Sequence, residues 1–126
     1  METRIVDNIP EWRYQAEVIS RLHKLEDEGL SFTCAGDMNR AKRGRRAQME
    51  AKATGLTAGE PDIRVYMAGG ILFSIELKTP NGRRSKDQIK RHALLTKLGF
   101  EIITIAGRTP EELADAVEAL VRSRLP

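Results

Sequence analysis

A single cysteine, Cys34, rules out an internal disulfide, and with only His23 and His92 beside it the chain lacks any sequential Cys/His zinc pattern. Cys34 ends an apolar stretch, Leu30-Ser31-Phe32-Thr33-Cys34, and reads as a buried, inert thiol. Long hydrophobic runs are missing as well: none reaches the roughly 18 residues that a membrane span needs. The opening METRIVDNIPEW has no apolar stretch of the kind a secretory leader carries, so a cytoplasmic setting with no membrane association is expected. Aromatic residues are scarce. One Trp, two Tyr and three Phe cannot supply the ladder on which single-strand binders stack bases. There is no glycine-rich phosphate loop, no nucleophile motif, no internal repeat and no low-complexity segment.

What is present fits one globular domain spanning residues 1–126, long enough for a core and too short for two. Hydrophobic residues at 40% and charged residues at 31% place it among globular proteins rather than disordered chains. The net charge is only +3, but its distribution is uneven. Arg40, Lys42, Arg43, Arg45 and Arg46 fall within seven residues. Arg83, Arg84, Lys86, Lys90 and Arg91 form a second basic group, while acids gather at 26–28 and 111–118. Segregation of this kind suits a polyanion on one face, and either basic group alone also suits a solvated surface.

Hydrophobic periodicity predicts the elements. Pro10 to about Glu28 reads as a helix, with Pro in the first turn and Gly29 as the stop. Leu30–Ala35 reads as a short strand, and Ala41–Thr54 as a polar, basic helix interrupted by Gly44. Asp62–Met67 alternates as a half-buried strand does, and Gly69-Gly70 turns it back into a second strand, Ile71–Lys78. A helix from Ser85 to about Leu98, a strand Phe100–Ala106 and a helix from Thr109-Pro110 to about Arg122 follow. The order predicts an α/β fold: one sheet, apolar on both sides at Phe73–Ile75 and Ile102–Ile105, with helices on both faces.

One pattern does not suit a plain core. Glu76 and Lys78 share a face at the end of a buried strand, opposite to Ile75 and Leu77. Folding the hairpin at Gly69-Gly70 brings Asp62 near Leu77, between Glu76 and Lys78. Two carboxylates held together are tolerable around a hard divalent cation, so Asp62, Glu76 and the Leu77 carbonyl are the candidate ligands for Mg²⁺ or Mn²⁺. Such an ion polarises a phosphoryl oxygen and acidifies water, and Lys78 beside it stabilises transition-state charge or handles that water. On the first helix Glu11, Gln15, Val18, Ile19 and Leu22 share a face, so that a carboxylate and an amide lie on an apolar stripe. Glu11 also suits the first turn of a helix on dipole grounds alone. Ser85-X-X-Gln88 has the spacing of a capping box and would set Gln88 beside Lys78. His92, one turn beyond Gln88, is a core or surface histidine or a phosphate contact.

The run Lys52-Ala53-Thr54-Gly55…Gly59-X-Pro61-Asp62, then after a gap of thirteen residues Glu76-Leu77-Lys78-Thr79-Pro80-X-Gly82-Arg83-X-Ser85-X-X-Gln88, followed by Leu95 and Gly99, resembles the VRR-NUC family of the PD-(D/E)XK nuclease superfamily. The resemblance runs from Glu11 to Ile105 and implies a restriction-endonuclease-like mixed β-sheet flanked by α-helices. It implies that Asp62, Glu76 and Lys78 bind metal and hydrolyse phosphodiesters, with Gln88, Glu11 and Gln15 completing the catalytic set. Arg40, Lys42, Arg43, Arg45, Arg46, Arg83, Arg84, Lys86 and Lys90 flank that set in sequence and are the candidate DNA contacts. Stand-alone members, many from phages, resemble homodimeric Holliday-junction resolvases. A branched or duplex DNA substrate and a homodimer are therefore expected, with the dimer surface on the Arg40–Thr54 helix or on Leu113, Val117, Leu120 and Val121 of the last helix. A flap or nicking nuclease, or a DNA-binding module that keeps the fold without the chemistry, is the alternative.

Overall fold

The computed structural model describes residues 9–37 and 44–126. Its elements are α1 (Glu11–Asp27), β1 (Phe32–Gly36), α2 (Arg45–Ala53), β2 (Ile63–Met67), β3 (Ile71–Lys78), α3 (Lys86–Lys97), β4 (Glu101–Ala106) and α4 (Pro110–Arg124). The strands form one sheet in the order β1-β2-β3-β4; the first three are antiparallel neighbours, and β4 runs parallel to β3. The result is a mixed α/β fold, as the sequence predicts. Among the described residues no helix is long and apolar enough to cross a membrane.

The alternation in β2 and β3 sorts side chains between two faces. Ile63, Val65, Phe73 and Ile75 point to one side, where they pack with Tyr14, Val18 and Leu22 of α1 and Leu113, Val117 and Val121 of α4, all essentially inaccessible to water. Each such aliphatic side chain contributes about 1.5–3 kcal/mol by leaving water. The Tyr14 hydroxyl, buried with the rest, donates to the Arg108 carbonyl at 3.0 Å. The apolar residues of α4 are therefore core, which corrects their expected place on a dimer surface. Only Leu120 among the four is partly open.

The hairpin differs from expectation by one residue. Met67 pairs with Ile71, so the connection is the three residues Ala68, Gly69 and Gly70 rather than a two-residue turn. Gly69 and Gly70 take φ of 87° and 75°, which costs glycine little and other residues a good deal. The strand register thus sets Ile63 opposite Ile75, and Asp62 is opposite Glu76 by extension.

β4 is one of the two edge strands of the sheet, β1 being the other. In β4, Ile102, Ile103 and Ile105 are half-buried, not fully covered as their nearly continuous apolar run suggested. The run reflects two partly covered faces at a sheet edge. Helix α2 begins at Arg45, with Gly44 at its N-cap rather than inside it, and buries no residue. Arg40, Lys42 and Arg43 lie outside the described residues.

Candidate active site

The carboxyl end of β3 is built around Leu77. Asp62, next to the start of β2, turns its carboxylate inward, and Oδ2 accepts a hydrogen bond from the Leu77 amide at 2.7 Å. Glu76, the preceding residue, is only 3% exposed, and it faces α3 because alternation turns it away from Ile75. Helix α3 meets it with two side chains. The Gln88 amide donates to Glu76 Oε2 at 3.1 Å, and His92 Nε2 lies 3.6 Å from Oε1.

Gln88 is fixed by the helix start. Ser85 Oγ accepts from the Gln88 amide, and Gln88 Oε1 accepts from the Ser85 amide, the reciprocal capping box that the spacing predicts. The same side chain thus caps the helix with its oxygen and holds the carboxylate with its nitrogen. Capping the helix and contacting Glu76 therefore do not exclude each other. His92 is 5% exposed and lies behind Glu76. Burial first, and then the nearby Arg84 charge, hold its imidazole below the ordinary histidine value, so at neutral pH it is neutral.

Helix α1 contributes from the other side. Gln15 Nε2 donates to the carbonyls of Asp37 and Asp62, at 3.1 and 3.3 Å, tying β1 to the start of β2. Its observed partners are main-chain atoms. Glu11 Oε1 accepts from Thr79 Oγ1 at 3.0 Å, immediately after β3. The turn at Gly82 closes over this pair so tightly that a methyl group there would collide with the Glu11 carboxylate and the Thr79 hydroxyl.

Two cavities meet at these groups. One, of about 850 Å³, is lined by Glu11, Gln15, Asp62, Leu77 and Thr79, and also by Trp12, His23 and Cys34. The other, of about 340 Å³, is lined by Glu11, Glu76, Leu77, Lys78, Arg83 and Arg84. Glu11 and Leu77 belong to both. Asp62 and Glu76 therefore flank Leu77 and open into adjoining cavities. Lys78 is exposed at the mouth of the second, on the same side of β3 as Glu76.

The basic residues divide into two kinds. Arg83, Lys86 and Lys90 are exposed near this end of the sheet, and Arg84 donates to Thr104 Oγ1 at 2.9 Å while lining the cavity. Arg45 and Arg46 are exposed on α2, where Arg46 lies 3.6 Å from Glu50. Arg91 is instead half-buried and ion-paired with Glu60, which also holds Arg64 at 3.2 Å. Its place in the basic segment does not make it available to a polyanion.

The oxygen donors at Asp62, Glu76, Glu11 and the Leu77 carbonyl are all hard, and so match Mg²⁺ or Mn²⁺ in kind. They do not form a tight set by themselves. Among the described residues, the one group of three or more His, Cys, Asp or Glu with ligand atoms within 4.8 Å of each other is His23, Glu26 and Cys34. In the sequence Cys34 and His23 follow no Cys/His zinc pattern, and Glu26 is one of the acids gathered at 26–28. Thr79 and His92 gained their contacts here without a distinctive signal, beyond the position of Thr79 in the Glu76–Gln88 run.

The architecture defines an α/β mixed-sheet protein whose acidic and basic side chains gather at the end of one parallel strand pair. The same fold occurs in a solved structure described as a VRR_NUC domain, with a TM-score of 0.52 and 19% sequence identity, over 90% of this chain and 96% of that one. No family model matches the sequence, and no curated protein is detectably similar.

Proposed function

We propose that this chain is a VRR-NUC nuclease: a Mg²⁺- or Mn²⁺-dependent, structure-selective DNA endonuclease that works as a homodimer on four-way junctions. The observation that carries the reading is the arrangement about Leu77. Asp62 is bonded to its amide, Glu76 and Lys78 flank it in sequence, and Glu11 shares both of its cavities. The fold shared with a VRR_NUC domain adds weight independent of the motif.

Asp62, Glu76 and the Leu77 carbonyl are the residues that would hold the ion. When bound, it supplies a Lewis acid for the phosphoryl oxygen and lowers the pKa of water. The chain's own groups do the positioning. Gln88 fixes the Glu76 carboxylate through a hydrogen bond anchored in the helix cap. The Leu77 amide fixes Asp62, and Thr79 fixes Glu11. Lys78 is placed to offset charge as it builds on the phosphoryl oxygens, where a preoriented cation is worth more than in water. Water attacks in line, the bond from phosphorus to the 3′ oxygen breaks, and a 5′-phosphate remains. Arg83, Arg84, Lys86 and Lys90, together with Arg45, Arg46 and the three basic residues at 40–43, hold phosphates without reading bases.

The test uses labelled four-way junctions and flaps with Mn²⁺ or Mg²⁺. Wild-type protein is expected to cut junctions in symmetric pairs and to be inactive in chelator. Lys78→Ala is expected to lose cleavage by about 10²-fold or more, the size of effect that removal of one oriented charge-stabilising donor produces. It should still bind the junction. Unchanged cutting by Lys78→Ala would overturn the hydrolytic assignment. Trimming of flaps alone would replace the junction substrate with the flap reading.

A further inference from the structure

Helix α1 ends its last two turns beside β1, and the contact brings together three chemically mismatched groups. His23 and Glu26 are three residues apart, hence neighbours on one side of the helix. Cys34 reaches them from β1 after the chain reverses at Gly29. One ligand atom from each lies within 4.8 Å of the other two. Cys34 Sγ donates to Glu26 Oε2 at 3.5 Å, and Thr33 Oγ1 donates to Glu26 Oε1 at 3.0 Å. The carboxylate is thus held by one oxygen while its other oxygen meets the sulfur.

We propose that His23, Glu26 and Cys34 form a Zn²⁺ site, separate from the acidic groups around Leu77. Imidazole, carboxylate and thiolate are the three ligand types that zinc accepts together, whereas Mg²⁺ and Ca²⁺ avoid sulfur. Zn–S bonds of about 2.3 Å and Zn–N or Zn–O bonds of about 2.0–2.2 Å put the corners of a tetrahedron about 3.3–3.7 Å apart. The sulfur–oxygen pair already has that spacing. His23 is exposed and already has a ring nitrogen within 4.8 Å of both. Three protein ligands leave a fourth position for water, which opens on the 850 Å³ cavity that His23 and Cys34 line. Thr33 supplies the outer hydrogen bond that orients a ligating carboxylate.

Binding replaces the thiol proton of Cys34, which passes to solvent, with the metal; nothing is oxidised or reduced. Without metal, burial first and the Glu26 carboxylate second push that thiol up to about 12. The free site therefore holds a protonated, unreactive cysteine. Occupancy pins the C-terminal half of α1 to β1 and stabilises the folded chain by mass action.

The test is a Zn²⁺ titration of the full chain, stripped with chelator, against a chromophoric competitor, repeated with Co²⁺. One equivalent is expected, with a thiolate-to-cobalt charge-transfer band in the near ultraviolet and a rise in melting temperature on adding zinc. Cys34→Ser should lose the band and the equivalent. His23→Ala changes an exposed side chain and leaves folding intact; it should weaken binding by at least about tenfold, as should Thr33→Val through its outer hydrogen bond. The Asp62→Asn/Glu76→Gln double variant should bind zinc as wild type does, which separates this site from the nuclease reading. Binding that survives Cys34→Ser, or that is lost in the double variant instead, overturns the proposal; so does a chain that takes up no zinc.

Discussion

Gly82 has no side chain because Glu11 and Thr79 occupy the space where one would stand. The position therefore tests whether Glu11 takes part in the chemistry or serves only as a first-turn acid of α1. Gly82→Ala pushes the Glu11 carboxylate away and breaks its 3.0 Å bond to Thr79, in the first turn of α1 and outside the cluster of buried apolar side chains. Displacing a catalytic group by about 1 Å costs on the order of 100-fold in rate, while such local overpacking costs about 1–3 kcal/mol of stability. The expected outcome is a folded protein with a modestly lower melting temperature and roughly a hundredth of wild-type cleavage. A Gly82→Ala enzyme with full activity would leave Glu11 only its helix-terminal role. At this scale the sequence is most legible where a charge interrupts an apolar alternation, as at Glu76 and Lys78. It is least legible where the partner is main chain, as for Gln15, or where the partner arrives from the interior of the next helix, as for His92 behind Glu76.

Elements were readable where burial imposes a period. The limits of β3 match its apolar run, and the helices that cover the sheet end within a residue or two of their caps. The expected hairpin register was off by one because Ala68 joins the two glycines in the loop. Helix α2 was the least defined, since it buries nothing and so leaves no apolar stripe to read. Between α1 and α4 the charges are legible only in three dimensions. Arg21 bonds Asp115 and Glu118 at 2.8 and 2.9 Å, and Glu118 also accepts from Arg122. The Arg122 bond first, then the Arg21 bond, hold the Glu118 carboxyl below its ordinary value of 4.5. A depressed carboxylate adds stability above its unfolded pKa and loses it as pH falls through the folded value. Solvent screening keeps the Arg21 contribution to at most about 1 kcal/mol. Arg21→Ala should thus lower the urea midpoint slightly at pH 7, and the two proteins should converge as pH falls through the lowered Glu118 value. A gap that persists at low pH would assign the loss to packing of the Arg21 stem rather than to its charge.

For the whole molecule, the remaining question is what covers the apolar surface that the sheet and its helices leave over. The face of α4 that the sequence offered for pairing is consumed by the core, which leaves a second copy the exposed helix α2, the other surface that the sequence offered, or a new one. Ile89, Leu94 and Leu98 on and just after α3, with Phe100 beyond them, stand open to water, Leu98 at 64% exposure. A two-fold axis near α3 would cover part of this area, and it would place two copies of the Glu76–Lys78 end in a fixed relation, as paired cuts across a junction demand. Large exposed aliphatic and aromatic side chains on one element are what such an axis would bury. On this reading, wild-type protein should sediment at twice the chain mass. Leu98→Glu, which cannot disturb a core that it does not enter, should shift it to single chains and abolish symmetric cutting while leaving each monomer folded. A wild-type protein that sediments as a monomer at micromolar concentration would remove the junction reading and leave the flap-directed one. A dimer that withstands Leu98→Glu would keep the junction reading and move the axis away from α3.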